Sequence, residues 1–172
     1  GGIAADLGTG TGCLALALAV EGDFGLVVAV ERDAAAAALA RENVTRVAPP
    51  TPVEVREGDW LGPLGDARYR VILANPPYLT EDEWGALDPS VREYEPRAAL
   101  ASGPDGLDAT RAILAGAARC LAPGGVLALE IDERRAEAVR ELAGAAGWRR
   151  VALHDDLFGR PRYAVASMET HP

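Results

Sequence analysis

The chain has 172 residues, about half of them apolar, and a net charge of −9. That length and composition fit one domain with a real hydrophobic core, and the interspersed acidic charge argues against a domain that grips nucleic-acid backbone through a basic face. No run approaches the length of a membrane span and no basic, cleavable leader opens the chain, so neither a membrane partner nor secretion is expected.

The chain starts inside an apolar run, residues 2–7, that reads as a first strand. A segment ahead of Gly1 is therefore expected, covering the sheet. Gly8-Thr9-Gly10-Thr11-Gly12 makes a turn, and residues 13–20 form an Ala- and Leu-rich helix whose all-round apolarity predicts burial between layers. Residues 26–30 are a second strand, continuously apolar as in a parallel sheet covered on both faces, and it ends at Glu31. A helix over 33–47 takes Asp33 as its N-cap and stops hard at Pro49-Pro50-Thr51-Pro52. A third strand at 53–56 leads into Gly58-Asp59-Trp60, and the fourth, residues 70–74, runs into Asn75-Pro76-Pro77-Tyr78.

Residues 79–104 read as a long irregular connection, and a loop of that length in a compact domain is more often functional than decorative. A helix over 105–121 is expected to end at Pro123-Gly124-Gly125, followed by a fifth strand at 126–131. A helix over 133–146 closes at Gly147. Two last strands, 149–154 and 163–167, lie too close in sequence for a helical crossover, so an edge strand must be antiparallel. The alternation of strand and helix predicts an α/β fold, doubly wound on a mainly parallel sheet. Cys13 and Cys120 form no C-x-x-C pair and are expected reduced in a cytoplasmic core. His154 and His171 lack companions at ligand spacing, so no metal site is expected.

Ligands of an open parallel sheet bind beyond the carboxyl ends of its strands. Four such ends carry polar or glycine-rich groups here: Asp6, Gly8, Thr9, Gly10, Thr11 and Gly12 after the first strand, Glu31 after the second, Asp59 and Trp60 after the third, and Asn75 to Tyr78 after the fourth. The glycines allow backbone to approach a ligand closely. Their spacing fails the dinucleotide fingerprint, whose third glycine would fall at Cys13, and no phosphate-binding G-K-[ST] follows. Glu31, about 20 residues on, can accept hydrogen bonds from ribose hydroxyls, and Trp60 can stack on or border an adenine. A ribose and an adenine without a pyrophosphate cradle point to S-adenosylmethionine as cofactor.

The prolines force the chain out of the sheet after the fourth strand. Asn75 Oδ1 and the Pro76 carbonyl are two close acceptors that suit one planar –NH2 group, and Tyr78 offers a flat face for the group that carries it. A planar –NH2 nitrogen accepted in this way has its lone pair directed at an incoming methyl. No covalent intermediate is required, so neither cysteine is needed. An amine on a nucleic-acid base stays open as an alternative substrate, against which the charge of −9 counts. A cofactor-binding module that needs a further N-terminal segment for activity is the third reading.

With these motifs in place, the chain resembles the class I S-adenosylmethionine-dependent methyltransferases. Within them it is similar to the HemK/PrmC group, which methylates the glutamine amide in the Gly-Gly-Gln motif of peptide-chain release factors. The class-level motifs are Asp6-Leu7-Gly8-Thr9-Gly10-Thr11-Gly12 and Asn75-Pro76-Pro77-Tyr78. The group-level signal is Val91-Arg92-Glu93-Tyr94-Glu95-Pro96-Arg97-Ala98-Ala99-Leu100, then Gly103-Pro104-Asp105-Gly106-Leu107; Leu121-Ala122-Pro123-Gly124-Gly125, Leu129-Glu130-Ile131 and Asp156-Leu157-Phe158-Gly159-Arg160-Pro161-Arg162 also fit. The resemblance implies that the glycine turn wraps the methionine end of the cofactor, Glu31 holds the ribose, Asp59 and Trp60 border the adenine, and Asn75, Pro76, Pro77 and Tyr78 present the substrate amide. It also implies a release factor as protein partner, no stable nucleic-acid binding and a helical N-terminal domain ahead of this one; a monomer is the default expectation. Two positions depart from the group: Glu31 stands where Asp is usual, and Asp132 where glycine is more usual.

Overall fold

Three apolar runs with no polar alternation take the centre of a parallel sheet, where both faces must be covered. They are β1 (Ile3–Leu7), β2 (Leu26–Glu31) and β4 (Tyr69–Ala74), and β3 (Val53–Glu57) pairs outside β2. The computed structural model describes residues 1–168. Its single sheet has the order β3-β2-β1-β4-β5-β7-β6, with β5 at Leu121–Glu130, β6 at Arg150–Asp155 and β7 at Pro161–Ser167. All pairings from β3 to β5 are parallel, and β7 runs antiparallel to both β5 and β6. The chain moves outward from β1 to β3 and returns to β4 beside β1. That reversal of strand order opens a crevice at the carboxyl ends of β1 and β4.

Register divides the strands into two faces. Ala5, Leu7, Val28, Val30, Ile72, Leu127 and Leu129 share one face, with Ile113 and Leu114 of α6 (Asp108–Ala117) and Val139 of α7 (Ala136–Ala145). Ala4, Val27 and Ala29 share the other with Ala15 and Ala19 of α1 (Cys13–Glu21). α2 (Ala34–Val47) begins as expected, with Asp33 Oδ1 accepting from Ala36 N at 2.8 Å.

Four expectations are corrected. α1 is not buried all round: Ala15 and Ala19, one turn apart, form its contact stripe, while Leu14 and Val20 are exposed, because a helix lying on a sheet buries only the face it presents. For the same reason Cys13, at the first turn of α1, is exposed and only Cys120 is in the core. Pro123-Gly124-Gly125 does not separate helix from strand. The helix ends at Ala117, a 3-10 turn covers Ala118–Cys120, and β5 already pairs at Leu121 with Tyr69 before its register shifts to Val126 opposite Val71. Gly125 sits in that irregularity because a Cβ there would lie 2.7 Å from the Tyr69 carbonyl oxygen. The 79–104 connection is not irregular throughout. It holds three short helices, α3 (Glu81–Gly85), α4 (Pro89–Arg92) and α5 (Arg97–Leu100), the first closed by a capping box between Thr80 and Glu83.

Among the described residues no helix is long and apolar enough to cross a membrane, and no group of three or more His, Cys, Asp or Glu could hold a metal. His154 stacks on Tyr163 with ring centroids 4.9 Å apart; His171 lies outside the described residues.

Candidate functional site

The turn after β1 is built by hydrogen bonds that leave Gly8 and Gly10 accessible while Gly12 is buried. Gly8 N and Thr9 N both donate to the Val30 carbonyl at 2.9 Å, tying the turn to β2. Gly8, Gly10 and Gly12 all hold positive φ, where a side chain would be strained. Behind the turn, Asp6 Oδ2 accepts from Thr9 Oγ1 at 2.5 Å and from Ala15 N at 3.0 Å, locking the turn to α1. Asp6 Oδ1 is buried and has no hydrogen-bond partner among the described residues. Burial pushes the Asp6 carboxyl up to about 6, against the opposing effect of the Thr9 and Ala15 hydrogen bonds and with a further push from Glu31.

This buried acid makes stability depend on pH. The folded state holds the Asp6 proton between about 4 and about 6, where the unfolded chain has already lost it, so stability falls as pH rises through that window. A shift of that size corresponds to roughly 3 kcal/mol. Asp6→Asn keeps one oxygen acceptor and removes the ionisation. It is therefore expected to gain stability relative to the parent as pH goes from 4 to 7.5, by up to roughly 3 kcal/mol in denaturant titrations. A difference between the two proteins that stays constant over that range would refute the assignment.

Glu31 bridges the same turn to the start of α2. Its Oε2 accepts from Gly10 N and its Oε1 from Asp33 N, both at 2.9 Å. Each oxygen keeps a second acceptor direction for a ligand. Trp60, beyond β3, has φ 41°, a left-handed conformation unusual for a bulky residue. Its indole lies against the turn: a Cβ on Gly8 would sit 3.2 Å from Trp60 Cζ3. A Cβ on Gly10 would meet nothing within 4 Å, so open space lies over the turn at that point.

β4 delivers Asn75 to the same place. The Asn75 side chain is exposed and makes no hydrogen bond with a described residue, while Pro76 is buried. The Tyr78 hydroxyl donates to Glu130 Oε1 at the end of β5, at 3.4 Å, and burial beside that carboxylate holds the phenol above its ordinary pKa. Gly106 passes beneath this stretch, since a Cβ there would fall 2.3 Å from the Tyr78 carbonyl oxygen.

A cleft of about 630 Å³ results, a volume suited to a small-molecule ligand. Of the residues expected at the site, Gly8, Gly10, Thr11, Glu31, Asp59, Trp60, Asn75 and Pro77 line it. Asp6 and Thr9 lie behind the turn and hold its shape, Gly12 packs on Ala40, Pro76 is buried at the strand end, and Tyr78 points its hydroxyl to Glu130. The cleft wall also includes Arg32 and, from the 79–104 connection, Glu95, Pro96 and Ala98. The stretch holding Glu95, Pro96 and Ala98 carries part of the family resemblance, but sequence reasoning placed none of these residues, nor Arg32, at the site. The connection's conformation is set by long-range contacts such as Arg32 Nη2 donating to the Ala98 carbonyl at 3.4 Å, for which local sequence carries no signal.

The donor set fits an adenosyl ligand: a carboxylate with free acceptor directions for a ribose, an aromatic wall for a base, and glycine backbone open to close approach. Comparison with known proteins agrees with that fit. Residues 1–87 match the family described as Methyltransferase small domain. A release factor glutamine methyltransferase of Cereibacter sphaeroides is 45% identical over 163 residues, covering 95% of this chain and 58% of that protein. One of the same name from Geobacter sulfurreducens is 44% identical over 143 residues, covering 83% and 50%. The chain thus spans about half the length of the curated relatives it matches. Among solved structures, a methyltransferase from Pyrococcus furiosus superposes with a TM-score of 0.71 at 22% identity, covering 96% of this chain and 74% of that one. A 16S rRNA methyltransferase from Thermus thermophilus, in complex with AdoMet and guanosine, gives 0.68 at 23% identity, covering 98% and 38%. Likenesses at that identity concern the fold.

Proposed function

The chain belongs to the methyltransferase small domain family, and on that premise we propose that it transfers a methyl group from S-adenosylmethionine to the side-chain amide of the glutamine in the Gly-Gly-Gln motif of peptide-chain release factors. One observation carries the reading. The glycine turn, Glu31, Trp60 and Asn75 come from four different strand ends and line one cleft. The identity of 45% to a release factor glutamine methyltransferase supports the substrate.

In this reading Gly8, Gly10 and Thr11 border the methionine end of the cofactor, Glu31 takes the ribose hydroxyls, and Trp60 with Asp59 borders the adenine. Bound S-adenosylmethionine supplies an electrophilic methyl on sulfonium. Asn75 Oδ1 and the Pro76 carbonyl would accept hydrogen bonds from the two N–H groups of the substrate glutamine amide. That orients the nitrogen lone pair and favours the charge that develops on the amide in the transition state. One of these protons would be released to solvent as the methyl replaces it. Tyr78 packs over the amide plane, its ring direction fixed by the hydrogen bond to Glu130.

A methyl-transfer assay with labelled S-adenosylmethionine tests this. The chain is offered a bacterial release factor, the same factor with the Gly-Gly-Gln glutamine changed to alanine, and bulk RNA and DNA. Label on the intact factor alone is the expected result. Label on nucleic acid instead would move the substrate to a base amine and leave the cofactor site standing.

A further inference from the structure

The β6–β7 hairpin stands at the functional end of the sheet. Because β7 is antiparallel to both neighbours, β6 runs parallel to β5, and the turn after β6 emerges on the same side as Asn75 and Glu130. Register sets Glu130, Tyr163 and His154 at one level, so residues 156–160 project beyond the carboxyl ends of the strands.

The turn is rigid and its tip is apolar. Asp156 Oδ1 accepts from Phe158 N at 2.8 Å and Arg160 N at 3.1 Å, Asp156 Oδ2 accepts from Arg162 Nη2 at 3.3 Å, and Asp156 N donates to the Arg160 carbonyl at 2.8 Å. Leu157 and Phe158 take no part in the packing: they are 102% and 85% exposed, the two most exposed large hydrophobic side chains among the described residues. A pair of large apolar side chains held out on a preordered turn contributes nothing to the core. It offers a contact surface whose ordering cost is already met before a partner arrives.

The hairpin is also braced to the candidate catalytic stretch. The Ile131 amide donates to the Arg162 carbonyl at 2.9 Å, the residue before it, Glu130, holds the Tyr78 hydroxyl, and the Arg162 guanidinium holds Asp156 at the base of the tip. On the other flank of the cleft Tyr94 is 82% exposed, next to Glu95 and Pro96 of the cleft wall.

We propose that Leu157 and Phe158 form a docking tip for the protein substrate, seated on an apolar surface of the folded substrate away from the glutamine that enters the cleft. This rests on the reading of the chain as a protein-glutamine methyltransferase. A protein is the occupant because the tip is apolar and the two arginines beside it, Arg160 and Arg162, are paired with Glu133 and Asp156 and so make no unpaired basic face for a phosphate backbone. The tip discriminates an intact folded substrate from an isolated Gly-Gly-Gln segment.

The test compares the full chain with Leu157→Ser/Phe158→Ser and with Phe158→Leu, each titrated with a purified bacterial release factor in a direct binding experiment. Turnover on a synthetic Gly-Gly-Gln peptide, S-adenosylmethionine affinity and the thermal midpoint are measured beside it. The double variant is expected to bind the factor at least about tenfold more weakly, the scale for losing an aromatic anchor. Peptide turnover, cofactor affinity and midpoint should not move, and Phe158→Leu should stay close to the parent. Unchanged factor affinity in the double variant overturns the docking tip alone. Cofactor affinity falling in parallel overturns it too, because the hairpin would then be supporting the cleft. A parent chain that binds no release factor overturns the docking tip, and one that also methylates neither factor nor peptide while still binding S-adenosylmethionine points to the cofactor-binding module that needs a further segment for activity.

Discussion

Asn75→Ala is expected to lower methyl-transfer turnover by at least about 100-fold, the scale for losing one aligned contact to a reacting group. The folded chain places nothing else on this side chain. It is exposed at the end of β4 and makes no hydrogen bond with a described residue, so its loss should change stability by less than about 0.5 kcal/mol. A fall in turnover without a fall in stability separates a chemical role from a structural one. Cofactor affinity should change far less than turnover, because Glu31 and Trp60 lie on other strand ends. The measurement is single-turnover methyl transfer to an intact release factor, with the thermal midpoint and S-adenosylmethionine binding recorded on the same preparation. Full turnover in Asn75→Ala would end the proposed role of this stretch.

Arg135→Ala is expected to cost roughly 3 kcal/mol of stability, the scale for stripping one partner from a buried ion pair. Its side chain is 11% exposed and gathers three elements. Nη2 pairs with Glu83 Oε2 of α3 at 2.5 Å, and Nε donates to the Asp105 carbonyl at 2.8 Å. Nη1 lies 3.0 Å from Asp132 Oδ2 as an ion pair without hydrogen-bond alignment. Arg134 also pairs with Glu83 and Asp132, but from an exposed position, and it has no contact with the Asp105 turn. Removing Arg135 therefore frees the 79–106 stretch from the end of β5. Hydrogen exchange should accelerate there and stay unchanged in β1 to β3. Arg135→Lys should recover only part of the loss, since an ammonium cannot reproduce the forked contacts. Stability within about 0.5 kcal/mol of the parent would show that Arg134 suffices. This network also gives Asp132 a role that the sequence left without one: it caps the turn at Glu133–Arg135, accepting from Arg134 N at 2.8 Å, and anchors both arginines.

Much of the site was legible because its signals are local. Glycine turns, a carboxylate at a strand end, an Asp N-cap and prolines that eject the chain from a sheet are each dictated by backbone sterics within a few residues. The mainly parallel character of the sheet was legible in the alternation of strand and helix and in short continuous apolar runs such as 26–30, whereas the order of its strands was not. What the sequence by itself determined was thus which residues leave the ends of β1, β2, β3 and β4. Tertiary structure decided the rest. The register of β5 places Gly125 against the Tyr69 carbonyl and so carries the strand through Pro123-Gly124-Gly125. Glu130 meets Tyr78 across 52 residues of sequence, and Arg135 meets Glu83 across the same separation. Such contacts depend on where two strand ends arrive in space. No local propensity encodes that, which is why Glu95 and Pro96 on the cleft wall, and the direction of Tyr78, emerged only from the folded chain.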